Sequence, residues 1–256
     1  MRKIISVILI FIFACGILVS VCYVNRIWSE QRESTDLYTE LKDSVIDNDP
    51  SDKEEETSTP PSESDTVYTG QQIDFQTLND INPDVVGWIV IDGTPIDYPV
   101  VQGTDNSYYL KHLFDGKWNS SGCIFMDCRV SNTLSDRHTV IYGHHMKNGS
   151  MFSSLSGYKK QSFYNEHPTA LFIQEDTVYR IEFFSGYVSK VDSDAWKVNF
   201  ADDSEFEQWI NKVQSKSYFD SDTVPAVSDR IITLSTCSYE FDNARFVIHG
   251  ILREIS

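Results

Sequence analysis

Residues 47–66 read DNDPSDKEEETSTPPSESDT, with eight acidic residues, one lysine and no aliphatic or aromatic side chain to bury. A segment with no apolar surface to withdraw from water cannot offset an ordering entropy of roughly 1–2 kcal/mol per residue. Any core must therefore form from the 186 residues that run from 71 to 256. Their mixture of apolar runs and turn residues suits a single globular domain.

The N-terminal part has a different character. Residues 4–24 are 21 consecutive uncharged, mostly apolar positions, and at about 1.5 Å per residue such a helix spans a hydrocarbon core. A cleaved signal peptide has a shorter apolar run and a small-residue cleavage site. Cys15 and Cys22 do not read as lipidation sites, because Phe13 and Val21 occupy positions that require small residues. The segment is expected to remain as an anchor. Arg2 and Lys3 before it, against Arg26 after it, place the N-terminus in the cytoplasm and the rest outside. The expected organisation is a cytoplasmic N-terminus and transmembrane anchor over 1–28, an acidic disordered stalk over 29–70 with at most a helical turn near 37–45, and a folded domain over 71–256.

Formal net charge is −17, and no basic stripe is present to neutralise phosphates, so a nucleic-acid partner is not expected. Two of the five cysteines lie in the apolar run, leaving Cys123, Cys128 and Cys237 outside. An odd number of extracellular cysteines leaves at least one thiol unpaired.

Runs rich in Val, Ile, Tyr and Phe, broken by Gly, Pro and Asp, predict strands at 86–91, 96–101, 123–127, 139–142, 170–174, 178–188, 230–236 and 245–252. Eight short strands in one domain point to a barrel or sandwich. Helices are expected at 75–79, 107–114, 151–158 and 204–217. In the last of these Phe206, Trp209, Ile210 and Val213 fall at helical spacing behind Ser204 as a cap.

The common catalytic signatures GxSxG, HExxH and GxxxxGK[ST] are absent, as is a paired CxxC zinc pattern. His144 and His145 are adjacent and would point to opposite faces of a strand, so a metal site is not expected. What remains is a thiol. In RIITLSTC, period-two alternation puts Ile232, Leu234 and Thr236 on one face and Ile231, Thr233, Ser235 and Cys237 on the other. Cys237 closes that strand, and Arg245 opens the next one after a seven-residue loop. A hairpin would set both on one rim. His144 stands just beyond a third strand end, after Gly143. Singly, each has an ordinary explanation: a buried thiol, a solvated arginine, a turn histidine. Together they suggest nucleophilic catalysis.

TLSTC at 233–237, Arg245 eight residues later and YGHHM at 142–146 closely resemble the sortase signature of TLxTC, a following arginine and a histidine after glycine. QGTDNSYYLKH at 102–112, the YGHxM form and the helix expected before the cysteine strand resemble class B. The resemblance implies a mainly β fold, a closed barrel of about eight strands with N-terminal helices and a helix before the catalytic strand. It implies Cys237 as nucleophile, His144 as catalytic histidine and Arg245 as catalytic arginine, with Asn106, Leu110, Tyr142 and Ser235 lining a sorting-signal groove. No cofactor or metal is implied. The implied partners are surface proteins bearing a sorting motif and a peptidoglycan amine, at the outer face of a Gram-positive cell membrane. Some class B enzymes carry an acidic residue soon after the cysteine, but here Ser238 and Tyr239 follow, so no acidic partner is assigned. The rival readings are a peptidase that gives the acyl group to water and a non-catalytic, membrane-tethered peptide-binding module.

Overall fold

The computed structural model describes residues 2–46 and 73–255. Eight strands close into a barrel: β1 (Val85–Val90), β2 (Asp97–Val101), β3 (Ile124–Met126), β4 (His138–Tyr142), β5 (Thr169–Ile173), β6 (Val178–Lys190), β7 (Ile231–Cys237) and β8 (Ala244–Glu254). Their order around the barrel is β1-β2-β3-β4-β7-β8-β6-β5, with β5 returning to β1. The β2–β3 and β4–β7 pairs are parallel, and the others are antiparallel. All eight strands expected from the sequence are present, and the barrel reading holds.

The larger apolar cluster gathers side chains from every strand, including Trp88, Val100, Ile124, Ile141, Phe172, Ile181, Leu234 and Phe246. The alternation in β7 splits as the sequence predicts. Ile232 and Leu234 belong to this interior core, while Ile231 joins a second cluster on the outer surface. There helix α4 (Asp203–Gln214) lays Phe206, Trp209, Ile210 and Val213 against Ile231, Val247 and Ile251. Its cap is Asp202, whose carboxylate accepts from Glu205 N at 2.9 Å, rather than the expected Ser204.

Other helical expectations are corrected. Residues 107–114 form only a 3-10 turn, Tyr108–Leu110, because the Leu110 and Tyr109 carbonyls bond to His144 and Cys123 instead of continuing a helix. The 151–158 segment is a 3-10 helix, Ser153–Lys159, followed by a short α3 (Gln161–Glu166) that the sequence pattern did not indicate. The helix expected at 75–79 is α2 (Phe75–Ile81), capped by the Asp74 carboxylate on Thr77 N at 3.0 Å.

The largest correction concerns the stalk. Helix α1 (Arg2–Val45) contains the apolar run, long and apolar enough to cross a bilayer, and continues without a break past Ser29. Ser34, Tyr38, Leu41 and Val45 recur three or four residues apart and are buried, a stripe of helical period that docks on the barrel. The Tyr38 hydroxyl donates to Gly122 O at 3.0 Å, its ring meets Tyr98 edge-on, and Lys42 pairs with Asp97. Residues 29–46 are therefore part of the folded unit. The remainder of the expected stalk, 47–70, lies outside the described residues. Its flanks are joined, since Ile46 bridges Ile73 and Asp74 N donates to Val45 O at 2.9 Å.

Two fully buried histidines brace the outer face of β4, β7 and β8 beneath α4. The Lys197 carbonyl can only accept, so His138 Nδ1 carries the proton that reaches it at 2.7 Å. His138 Nε2 then accepts from the Thr233 hydroxyl at 2.6 Å, and Thr233 accepts from His249 Nδ1–H at 2.6 Å. Tyr187 O–H closes the chain on His249 Nε2 at 3.3 Å. Both rings are neutral. Burial pushes His138 down to about 4 and His249 well below the ordinary imidazole value.

Above about pH 6.5 neither state binds these protons, and no stability is lost. As the pH falls from there toward 4, the unfolded chain takes up protons that the folded chain refuses. The expected loss is about 1.4 kcal/mol per pH unit for each histidine. Urea unfolding between pH 7.5 and 5 should show this slope, reduced in a His249→Gln variant. A flat profile would contradict a neutral buried pair.

Candidate active site

The site is built by strand register. Tyr142 in β4 pairs in parallel with Ser235 in β7, and Gly143 N extends that ladder by donating to Ser235 O at 3.1 Å. His144, two residues beyond Tyr142, is thus level with Cys237, two beyond Ser235. On the other side of β7, Cys237 pairs directly with Arg245 in β8. Residues facing each other across a sheet share a face, so thiol and guanidinium lie on the outer face at one rim, with the imidazole at the adjoining strand end.

Close backbone approach holds the histidine. A Cβ on Gly143 would stand 2.5 Å from Ile124 Cδ1 and 2.7 Å from the Phe152 ring. Gly122 has φ +61°, and a Cβ there would meet Tyr109 O at 2.5 Å and His144 Cδ2 at 3.1 Å. His144 Nε2 lies 2.8 Å from Leu110 O, which can only accept, so this nitrogen is protonated and Nδ1 is the basic one in the neutral ring. His145, not expected to be catalytic, faces elsewhere. Its Nδ1 donates to Cys237 O at 3.0 Å, and Tyr239 O–H donates to His145 O at 3.2 Å.

A cleft of about 390 Å³ opens beside the rim, lined by Arg129, Tyr142, Trp196, Ser235, Arg245 and the 191–194 segment. Ser235 Oγ accepts from Trp196 Nε1 at 3.0 Å. The cleft floor rests on Asp127, which is fully buried. Arg129 Nε and Nη2 donate to its two oxygens at 2.9 and 2.6 Å, and Tyr142 O–H donates at 2.7 Å. Burial alone would raise this carboxyl, but hydrogen bonds from Arg129, Asn106 and Tyr142 outweigh it and hold it at about 2. Burial and the Asp127 charge push the Tyr142 phenol well up, so it stays a donor.

Of the residues expected to line a sorting-signal groove, Tyr142 and Ser235 are among those that line this cleft. Asn106 sits behind the wall, accepting from Cys128 N at 2.8 Å and bonding Asp127. Leu110 contributes its carbonyl to His144. The sequence reading missed Asp127, Arg129 and Trp196; a DxR pair closing the apolar run IFM was the available signal for the first two.

The three cysteines outside the apolar run are free thiols. Burial pushes Cys123 up to about 12, which keeps it protonated. Cys237 is partly exposed at the rim. Glu240, the first acidic residue after it, is occupied by Lys159 and Ser238. Its carboxyl falls to about 2 because those bonds outweigh its desolvation.

The sortase domain profile matches residues 89–253. Sortase B of Listeria monocytogenes is 39% identical over 181 residues, covering 70% of this chain and 74% of that protein. Sortase B of Staphylococcus aureus is 36% identical over 184 residues, 71% and 75% of the two. Among solved structures, sortase B of Bacillus anthracis superposes with a TM-score of 0.74 at 32% identity, covering 90% of this chain and all of that one. A substrate complex of the S. aureus enzyme gives 0.68 at 35% identity, covering 71% and 85%. The chain belongs to the sortase family. Its relatives are class B, and it is a cysteine transpeptidase of that type.

Asp127→Asn keeps the shape and removes the charge from the cleft floor. Losing charge-assisted bonds while half-exposed Arg129 regains water should cost about 2 kcal/mol of stability. Urea melts should show a lower midpoint with an unchanged slope, and an unchanged midpoint would contradict this role for the carboxylate.

Proposed function

We propose that this protein is a cell-surface transpeptidase that cleaves a sorting motif of the NPxTN or PPxTG type at its threonine carbonyl and transfers the acyl group to a cell-wall amine. The observation that carries this reading is the register that sets Cys237 between Arg245 and the His144 strand end. In the first half-reaction the Cys237 thiolate attacks the threonine carbonyl. The Arg245 guanidinium donates to the developing oxyanion, and His144 protonates the departing amine. The intermediate is an acyl-thioester, which remains activated toward amines. His144 then takes the proton of the incoming amine as the new amide forms and the thiolate leaves.

Tyr142, Ser235 and Trp196 shape the side of the cleft next to Arg245, where the motif would lie. Leu110 and Asn106 contribute from the β2–β3 connection through His144 and Asp127. On this reading the apolar run of α1 anchors the enzyme with its barrel outside, where exported substrates and the cell-wall acceptor meet.

Cys237→Ala should abolish turnover of a sorting-motif peptide with no loss of thermal midpoint, and His144→Ala and Arg245→Ala should each lower kcat/KM by 10²-fold or more, on the order of one lost transition-state contact. Arg245→Lys should remain severely impaired, because an ammonium lacks the planar fork. Product analysis with and without an amine acceptor tests transfer itself. Amide product that grows with the amine supports it, whereas hydrolysis indifferent to any cell-wall amine would leave a peptidase.

A further inference from the structure

We propose that the barrel rests directly on the bilayer through Trp118, and that helix α1, not residues 47–72, fixes the height of the catalytic rim. The proposal rests on reading residues 4–24 as a membrane anchor. Helix α1 leaves its apolar run at Val24, and Arg26 and Trp28 follow about 3 and 6 Å along the axis. The headgroup layer beyond the hydrocarbon is about 5–8 Å deep on each side.

The barrel meets this helix in ascending order. The Arg26 guanidinium lies over the Trp118 ring, 5.0 Å from its centroid. One turn higher, Asn119 Nδ2 donates to Glu30 O at 2.9 Å, and Ser120 Oγ donates to the Glu30 carboxylate at 2.7 Å. Two turns above that, Tyr38 reaches Gly122, and Lys42 then reaches Asp97. Of these contacts, that of Trp118 is the lowest along the helix, at headgroup depth.

Its chemistry suits that depth. Trp118 is 48% exposed, and on the helix itself Trp28 and Tyr23 are 72% and 65% exposed. An aromatic ring with a polar N–H is favoured at the boundary between hydrocarbon and water. A chain of net charge −17 gains nothing from an anionic surface, so the partner is the polar–apolar interface of a bilayer rather than a particular charged lipid.

The same contacts set a height. Tyr38 lies 14 residues beyond Val24, about 21 Å along the axis, and a tilt near 20° shortens this by only about 1 Å. Gly122, which accepts the Tyr38 hydroxyl, also abuts the His144 ring. The catalytic rim thus stands roughly 20 Å above the hydrocarbon boundary. Residues 47–72 add nothing to this distance, because Ile46 and Ile73 are bridged.

The test uses the full chain in phosphatidylcholine vesicles doped with lipid carrying a nitroxide on its headgroup, and compares tryptophan emission of Trp28→Phe with that of the Trp28→Phe/Trp118→Phe double variant. Both proteins should float with the vesicles. The single variant should show a quenched component that the double variant loses. Equal quenching in two vesicle-bound proteins would overturn the proposal while leaving the anchor reading intact. Failure to float would remove the anchor reading and this proposal with it.

Discussion

The parallel pairing of β4 with β7 is the constraint on which the rest of the structure depends. Parallel neighbours require a long crossover, and here the crossover carries β5, β6 and α4, which close the barrel and cover its outer face. With Tyr142 opposite Ser235, His144 just beyond β4 comes level with Cys237 at the end of β7, and the antiparallel return of β8 brings Arg245 to Cys237. Because side chains alternate with period two, a one-residue slip of β7 would turn Cys237 toward the interior and expose Leu234. The His138–Thr233–His249 chain crosses the same three strands and adds side-chain bonds that only one register satisfies.

Electrostatics then distinguishes two arginines in one cleft. Arg129 is committed to Asp127 by two short bonds. Arg245 donates to the Ala244 carbonyl and, among the described residues, takes part in no salt bridge. A guanidinium whose charge is not neutralised locally is the one suited to an oxyanion that forms only during reaction. The buried Asp127 holds Tyr142 and Arg129 in place as walls of the cleft.

Much of this was legible in the sequence, for identifiable reasons. All eight strands carry strong runs of β-branched and aromatic residues, and the alternation in RIITLSTC gave the correct faces because one side meets the interior and the other meets α4. The Cys237–Arg245 pairing followed from the short loop between them. The docking of residues 29–46 was hidden because its stripe of Ser34, Tyr38, Leu41 and Val45 is thin and borders an acidic tract. The Asp127–Tyr142 bond depends on pairing between β3 and β4, and Trp196 reaches Ser235 from 39 residues away. Such contacts have no local signature.

The most direct test of the account is to find which sulfur carries the acyl group. Incubating the protein with a sorting-motif peptide, quenching in acid and mapping tryptic fragments by mass spectrometry should place the acyl mass on the fragment running from Ile231 to Arg245, which holds Cys237. An amine acceptor added before the quench should discharge it. An adduct on Cys128, or turnover with no sulfur-bound intermediate under conditions that trap thioesters, would contradict the account.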